Sequence, residues 1–457
     1  MRKRILVFSL IGAMTLFGMG CGAGDNSNEA STVDSGSEED TEQTDAKQAI
    51  KEQEDAGQAD GEQTDAEQSA SEQDENGTSE ITILELNMEK RVLDEGVDST
   101  AVDFVENMKI GWVLGNTFDA YTDENKADEM AYESDWSGIV TTKEMIDAVK
   151  AAGFETIRIP VSWHNHVSDD GQYTISEAWL NRVQEVVDYA MDNDMYIIIN
   201  IHHDNSTKYM YPSKEYLEQS KAYVESIWTQ VAERFADYDE HLIMESLNEP
   251  RLVDTNYEWW LDLNNQECVE AVQCINELNQ VFVDTVRASG GHNADRYLLV
   301  PGYDASLQGA TNEYFELPQD TAENQNKILV EVHAYTPYNF ALQSPSESGS
   351  TDQWSKDSTS SISEINSTMD TLYEKYVKNG IGVVIDEFGA RDKDNNTQAR
   401  TDFAAYYVAA ARARGITCCW WDNNSFSGDG ERFGIFRRRV CSFLYPELVE
   451  GMIKYSE

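Results

Sequence analysis

Short apolar runs alternate with amphipathic stretches from about residue 81 to the end of the chain. The apolar runs are continuous, which is typical of parallel strands that are buried on both faces. We predict eight such strands, at residues 110–114, 156–160, 195–201, 242–247, 297–300, 328–333, 382–386 and 416–420. Strands that alternate with helices indicate crossover connections, and therefore an α/β protein with a parallel sheet.

The stretches between the strands have the period of amphipathic helices. We place five clear helices at residues 141–152, 181–191, 216–235, 269–288 and 363–378. In the first, Met145 and Val149 recur on one face, and Gly153 is suited to end the helix. Thr141 and Glu144 have the spacing of a capping box at its start. Eight strands with intervening helices over this length predict a (β/α)8 TIM barrel.

A doubly wound open sheet is the alternative architecture. That fold carries a glycine-rich phosphate turn after its first strand. The glycines near the first predicted strand, Gly111 and Gly115, have the wrong spacing for such a turn. The sequence therefore favours the barrel.

The first 80 residues differ in composition from the rest. Basic residues 2–4 precede an apolar run at 5–19, which is typical of a secretory signal peptide and too short for a transmembrane helix. Cys21 then predicts a lipoprotein whose signal peptide, residues 1–20, is removed before a lipid-bearing cysteine. Residues 21–80 are acidic and nearly devoid of apolar side chains, so we predict a disordered linker ahead of a folded barrel at 81–457.

The net charge of −50 and the pI near 4.3 argue against nucleic acid and anionic polymers as partners, because such a surface repels them. A neutral polymer is compatible with this charge. Five cysteines follow Cys21, and their odd number and spacing predict neither a disulfide framework nor a metal site. Cys418 and Cys419 fall in a predicted strand and are expected in the core. The sequence does not decide whether two of the residues Cys268, Cys274 and Cys441 form a disulfide.

Polar side chains gather where the predicted strands end, which is the edge of a TIM barrel that carries catalytic groups. Glu249 follows the fourth strand, and Glu387 follows the seventh. Other strand ends contribute Asn116, Arg158, His202, His203, Asn248, His333, Tyr335 and Trp421. Two carboxyl groups among side chains that bind hydroxyl groups and sugar faces suit glycoside hydrolysis, in which one carboxyl donates a proton and the other attacks or steers water.

These motifs resemble those of glycoside hydrolase family 5, and specifically its subfamily 4 of bacterial endoglucanases. The matching segments are residues 111–120, 157–163, 201–204, 247–251, 332–338, 385–389 and 420–423, in family order. Two features depart from the family pattern, Val113 in the first motif and the loop at 132–138. The resemblance implies a retaining endo-β-1,4-glucanase that cuts cellulose-type glucans, xyloglucan or mixed-linkage glucan.

The resemblance also implies a role for each strand-end residue. Glu249 is expected to be the general acid/base, with a raised pKa, and Glu387 the nucleophile, kept ionised by Arg158 and Tyr335. Asn248 is expected to bind the sugar 2-hydroxyl. The remaining expected sugar contacts come from Asn116, His202, His203, His333 and Trp421. No cofactor and no metal are expected, and a monomer is expected to act on a β-glucan polysaccharide.

Two other functions stay open at this stage. A β-mannanase or xylanase would use the same two glutamates. The residues at the strand ends are expected to contact the sugar ring at the cleavage site, and they do not identify the whole polymer. A surface glycan-binding protein on an inactive barrel is disfavoured, because both glutamates are present. The predicted location is the outer face of the cell membrane through a lipidated Cys21, with free secretion as the alternative.

Three further expectations concern individual residues, and the first two follow from strand alternation. His202 and His203 are adjacent, so they are expected to point to opposite faces, which disfavours a shared metal ion. Asp386 is expected to point away from the site that Glu387 faces. The pair at residues 259–260, both tryptophan, suits either a sugar platform or helix packing.

Overall fold

In the computed structural model, which describes residues 80–321, 323–324, 326–428 and 430–457, eight parallel strands form a closed barrel. The strands are β1 Ile110–Leu114, β2 Thr156–Ile159, β3 Tyr196–Asn200, β4 Leu242–Glu245, β5 Leu298–Pro301, β6 Ile328–His333, β7 Val383–Phe388 and β8 Thr417–Asp422. Each strand pairs in parallel with the next, and β8 closes on β1. The predicted (β/α)8 barrel is confirmed. The predicted signal peptide, Cys21 and nearly all of the linker lie outside the described residues.

Helices surround the barrel and connect its strands. They are α1 Thr100–Asn107, α2 Lys143–Ala151, α3 Glu177–Met191, α4 Leu217–Arg234, α5 Gln266–Ala288, α6 Leu307–Thr311, α7 Tyr338–Ala341, α8 Thr359–Lys375, α9 Thr397–Arg412 and α10 Pro446–Ser456. A short antiparallel pair, β9 Phe436–Arg437 and β10 Ser442–Phe443, follows β8. All five predicted helices are present, with ends that differ by a few residues from those expected.

The start of α2 differs from the predicted capping box. The N-cap residue is Thr142, whose side chain makes no capping hydrogen bond. The backbone N–H of Thr141 instead donates to Oε1 of Glu133, 2.7 Å away. The prediction was wrong because a distant carboxylate satisfies this backbone donor in place of Glu144. At the other end, Gly153 has a φ of 105°, a conformation that favours glycine, and it ends the helix as expected.

The interior of the barrel changes from apolar to polar along its axis. A lower layer is built from the buried side chains of Val113, Ile198, Ile243, Leu299, Leu329, Val384 and Cys419. Above it, towards the carboxyl ends of the strands, lie the fully buried Arg158, Glu245, Glu331 and Asp386. Buried charges are tolerated only where they pair with one another. The polar layer therefore marks the functional end of the barrel.

A segment before α1 packs along the outer helices. The N–H of Leu86 donates to the hydroxyl of Tyr455 at 2.8 Å, and the N–H of Arg91 donates to the carbonyl of Ala413 at 2.7 Å. These bonds join the segment to α10 and to the end of α9. The part of the segment that contains Leu86 and Arg91 is therefore held against the outer helices.

Within the described part of the chain, all five cysteines are free, and four of them are buried. Cys418 and Cys419 belong to the core, as predicted, and Cys268 and Cys274 are buried on α5. Among these same residues, no helix is both long enough and apolar enough to cross a membrane.

Candidate active site

Two carboxylates meet at the carboxyl end of the barrel, both near Nδ1 of His333. Nδ1 of His333 lies 2.8 Å from Oε1 of Glu249 and 3.6 Å from Oε2 of Glu387. One oxygen of each glutamate lies within 4.8 Å of the other. Carboxyl groups whose oxygens approach this closely fit the roughly 5–5.5 Å spacing found in retaining glycosidases.

An irregularity in β7 aims Glu387 at this site. Along the pairing with β6, Glu331 is opposite Val384, whereas His333 is opposite Glu387, so β7 contains one extra residue. A bulge of this kind breaks the alternation of side chains. Asp386 and Glu387 consequently both reach Arg158, at 3.1 Å and 2.6 Å. The prediction that Asp386 points away was therefore wrong, because it assumed a regular strand.

Arg158 on β2 organises the side of the site that contains Glu387. Its Nε and Nη2 each donate to the carboxylate of Glu245 at 2.7 Å, and its Nη1 donates to Oε1 of Glu387 at 2.6 Å. Nη2 also donates to Oδ1 of Asn248 at 2.7 Å. The planar guanidinium of Arg158 donates in fixed directions, and it therefore holds Glu387 and Asn248 beside each other.

A second donor completes the hydrogen bonding of Glu387. The hydroxyl of Tyr335 donates to its Oε2 at 2.9 Å. Burial and the neighbouring charge of Glu387 raise the pKa of Tyr335 well above its ordinary value, so the hydroxyl keeps its proton. Donors to both oxygens favour the ionised carboxylate. Arg158 and Tyr335 thus both donate to Glu387, one to each carboxylate oxygen.

Glu249 lies between two cationic side chains. Besides His333 on Oε1, Nη1 of Arg251 lies 3.3 Å from Oε2 and donates to the Glu249 carbonyl at 2.8 Å. Burial raises the pKa of Glu249, but the hydrogen bond from His333 and the charges of His333 and Arg251 outweigh burial and lower it to about 2. The expected raised pKa is therefore not found. The contact with Arg251 was also not predicted, although a basic residue two positions after Glu249 was a signal for it.

The opposite side of the site contains His202 and Trp421. The Nδ2 amide of Asn200 donates to Nδ1 of the buried His202 at 3.0 Å, and burial lowers the pKa of this histidine. The rings of His202 and Trp421 are nearly parallel, at 7°, with centroids 6.0 Å apart. Gly115 at the end of β1 lets Trp421 approach, because a Cβ there would lie 2.8 Å from its ring. Asn116 follows with a φ of 55° and is half-buried.

His203 faces the same side as His202, contrary to the expectation from alternation. The two rings are 4.3 Å apart, and the His203 ring lies 5.3 Å from Tyr121 and 5.7 Å from Trp136. The expectation was wrong because β3 has already ended before this pair. Asp119, His202 and His203 also have atoms within 4.8 Å of one another, a spacing that could hold a metal ion. The Asp119 carboxylate, however, already accepts two backbone N–H groups of the loop after β1.

Exposed aromatic side chains lie in the loops beyond the two glutamates, and most of them were not predicted. Tyr121 and Trp136 are 37% and 41% exposed and pack edge-to-face. After β4, Trp259 and Trp260 are 54% and 44% exposed and lie in a loop, which excludes helix packing. The guanidinium of Arg251 lies 3.9 Å above the Trp259 ring. Aromatic faces of this kind suit contacts with sugar rings.

Comparison with known proteins places this geometry in a family. Residues 119–427 match the model of the cellulase family, glycosyl hydrolase family 5. The cellulase/esterase CelE of Acetivibrio thermocellus is 40% identical over 359 residues, which are 78% of this chain. The chain spans only 40% of the length of CelE.

Two solved structures extend the comparison. A family 5 lichenase from Caldicellulosiruptor sp. F32, in complex with cellotetraose, is 56% identical, with a TM-score of 0.81 over 83% of this chain and 100% of that one. A GH5-4 broad specificity endoglucanase from Ruminococcus champanellensis with bound cellotriose is 44% identical, with a TM-score of 0.70 over 79% of this chain and 99% of that one. The predicted resemblance to subfamily 4 is confirmed. The chain belongs to glycosyl hydrolase family 5, the cellulase family.

Proposed function

We propose that this protein is a retaining endo-β-1,4-glucanase in which Glu387 is the nucleophile and Glu249 the general acid/base. The observation that carries this proposal is the approach of the two carboxylates to within 4.8 Å in unequal surroundings. Glu387 accepts hydrogen bonds from Arg158 and Tyr335, which favours an anion. Glu249 instead contacts His333, a group that can supply and take back a proton.

The reaction then has two steps. In the first, Glu387 attacks the anomeric carbon while Glu249 protonates the departing glycosidic oxygen, which gives a glycosyl-enzyme and a free chain end. In the second, water attacks that carbon and gives its proton to Glu249, and the bond to Glu387 breaks. Asn248 supports both steps, because Arg158 occupies its Oδ1 and leaves its Nδ2 amide for the sugar 2-hydroxyl.

The proposed substrate class is β-1,4-linked glucan, including mixed-linkage glucan and xyloglucan. Exposed aromatic rings in the loops after β1 and β4 suit contacts with the successive sugar rings of a polymer. Solved relatives bound to cellotetraose and cellotriose support the same class. The other proposed sugar contacts come from Asn116, His202, His203, His333 and Trp421.

The proposed location is the cell surface, where a lipid on Cys21 and the acidic linker would tether a monomeric barrel. The support for this is the amino-terminal sequence alone. The test is detergent phase partition of the protein expressed with its leader, compared with a Cys21→Ser variant. A wild-type protein that partitions like the variant would favour free secretion.

The activity is tested by reducing-sugar release from carboxymethyl-cellulose, barley glucan, xyloglucan, mannan and xylan. Glu249→Gln and Glu387→Gln are compared with Glu225→Gln, a control on the exposed face of α4. We expect activity on the glucans that both site variants lose and the control keeps. Activity on mannan or xylan alone would contradict the proposed substrate class. Binding to a polymer without hydrolysis would contradict the proposal that the protein is an enzyme.

A further inference from the structure

Two carboxyl groups lie behind His333, on the side away from Glu249. Oε1 of Glu331 on β6 is 3.4 Å from Nε2 of His333, and Oδ1 of Asp386 on β7 is 3.5 Å from the same atom. Both carboxylic side chains are fully buried. His333 therefore contacts a glutamate of the active site through one ring nitrogen and this carboxyl pair through the other.

The polar atoms of this pair are incompletely satisfied. Among the described residues, both oxygens of Glu331, both oxygens of Asp386 and Nε2 of His333 lack a well-aligned hydrogen bond. Asp386 does have an ionic contact, with its Oδ2 3.1 Å from Nε of Arg158. Groups buried this deeply are costly when unpaired, so such a cluster usually has a role that retains it.

Oxygen atoms of Glu331 and Asp386 lie within 4.8 Å of each other in a fully buried site, so the ionisation of both carboxyl groups is strongly disfavoured. Burial and the nearby charge of Glu245 raise the pKa of both Glu331 and Asp386 well above the ordinary values. Burial alone would lower the pKa of His333, but the surrounding carboxylates outweigh it and raise that pKa well above its ordinary value. The charged or titratable groups that interact with His333 are Glu249, Glu331, Asp386, Glu387, His202 and Asp304.

We infer that Glu331 and Asp386 together hold one proton, and that their remaining negative charge keeps a proton on Nε2 of His333. The Nδ1 proton is then the one that His333 shares with Glu249. Glu331 and Asp386 are positioning residues, since they act through His333 and do not touch the sugar. The inference rests on the proposed role of Glu249 and adds the groups that set its protonation.

The protons balance over one turnover. His333 passes its Nδ1 proton to Oε1 of Glu249, and Glu249 passes it to the glycosidic oxygen as the bond to the anomeric carbon breaks. In the second step the attacking water gives a proton to Glu249, and this proton returns to Nδ1. The Nε2 proton stays in place throughout, opposite Glu331 and Asp386.

The first test is the pH dependence of kcat/KM for Asp386→Asn and Glu331→Gln. Each substitution removes negative charge that stabilises the protonated ring of His333. The pKa of His333 should therefore fall, and the ring should lose its proton at lower pH. We expect the alkaline limb to move to lower pH by about one unit, with the acid limb unchanged. The exposed Glu225→Gln variant is the control. Folded, active variants with an unmoved alkaline limb would overturn the inference.

The second test uses the unaltered protein and does not depend on whether the variants fold. Nitrogen-15 labelling of the seven histidines reports the protonation of each ring, and a His333→Asn variant assigns the signal. We expect both ring nitrogens of His333 to carry protons at pH 7. A neutral ring at pH 7 would overturn the inference while wild-type activity on glucans persists. Wild-type inactivity on every polymer would instead overturn the proposed function.

Discussion

Nη1 of Arg158 lies 2.6 Å from Oε1 of Glu387, and the same guanidinium forms a double hydrogen bond with the buried carboxylate of Glu245. One side chain therefore links the interior of the barrel to the proposed nucleophile. Its orientation is fixed from below by Glu245, so Glu387 meets a donor that does not need to reorganise during the reaction.

An Arg158→Lys variant should keep a positive charge but lose the planar guanidinium. We expect kcat/KM on barley glucan to fall by about 10²-fold or more, as when a preorganised donor is removed. Chemical denaturation should show a loss of about 3 kcal/mol or more, because Glu245 is left buried with an incomplete partner. A variant with wild-type activity would show that the guanidinium does not act on the nucleophile.

A Tyr335→Phe variant removes one hydrogen bond to Glu387 and leaves the ring packing against Phe433, whose centroid is 5.4 Å away. A hydrogen bond to a charged group contributes about 1.5–3 kcal/mol, so we expect kcat to fall by roughly 10- to 100-fold. KM should change little, since the hydroxyl faces the nucleophile. Steady-state kinetics measures both, and an increase in KM alone would indicate a role in binding only.

A Glu249→Gln variant, compared on two substrates whose leaving groups differ in acidity, distinguishes the proposed general acid/base from the proposed nucleophile. An aryl cellobioside with an acidic phenol needs no proton to depart, so the first step should survive on it while hydrolysis of glucan is lost. A burst of phenol followed by slow turnover is the expected result. Glu387→Gln, the matched variant, should show no burst. Equal loss on both substrates in Glu249→Gln would exclude it as the acid.

A Trp259→Ala variant tests the exposed aromatic loop. The ring is exposed on one face and covered by Arg251 on the other, at 3.9 Å. If the exposed face binds a sugar ring, KM for a long glucan should rise several-fold or more, with kcat on a short aryl glycoside unchanged. Trp260→Ala is the neighbouring control. An unchanged KM on every glucan would remove Trp259 from the substrate path.

Much of the fold was predictable from the chain because the barrel repeats one local pattern. Continuous apolar runs located all eight strands to within a few residues, and β1 and β6 match their predicted bounds. The strand ends also located the two glutamates, since a closed parallel barrel brings all such ends to one edge. Here local pattern and overall topology agree.

The features that escaped prediction depend on contacts between distant segments. The bulge in β7 is visible only in its register with β6 and β8, so alternation placed Asp386 on the wrong side. Burial raises the pKa of Glu249, but His333, which is far away in the sequence, and Arg251 together outweigh burial and lower that pKa. The orientation of Trp259 depends on a loop whose shape no periodicity describes.

The measurement that tests the central claim most directly is trapping of the glycosyl-enzyme. An activated 2-deoxy-2-fluoro cellobioside slows the second step, and mass spectrometry of the digested protein then locates the sugar. We predict one adduct, on the peptide that contains Glu387 and on that residue. An adduct on Glu249, or a product of inverted anomeric configuration with no adduct, would contradict the account.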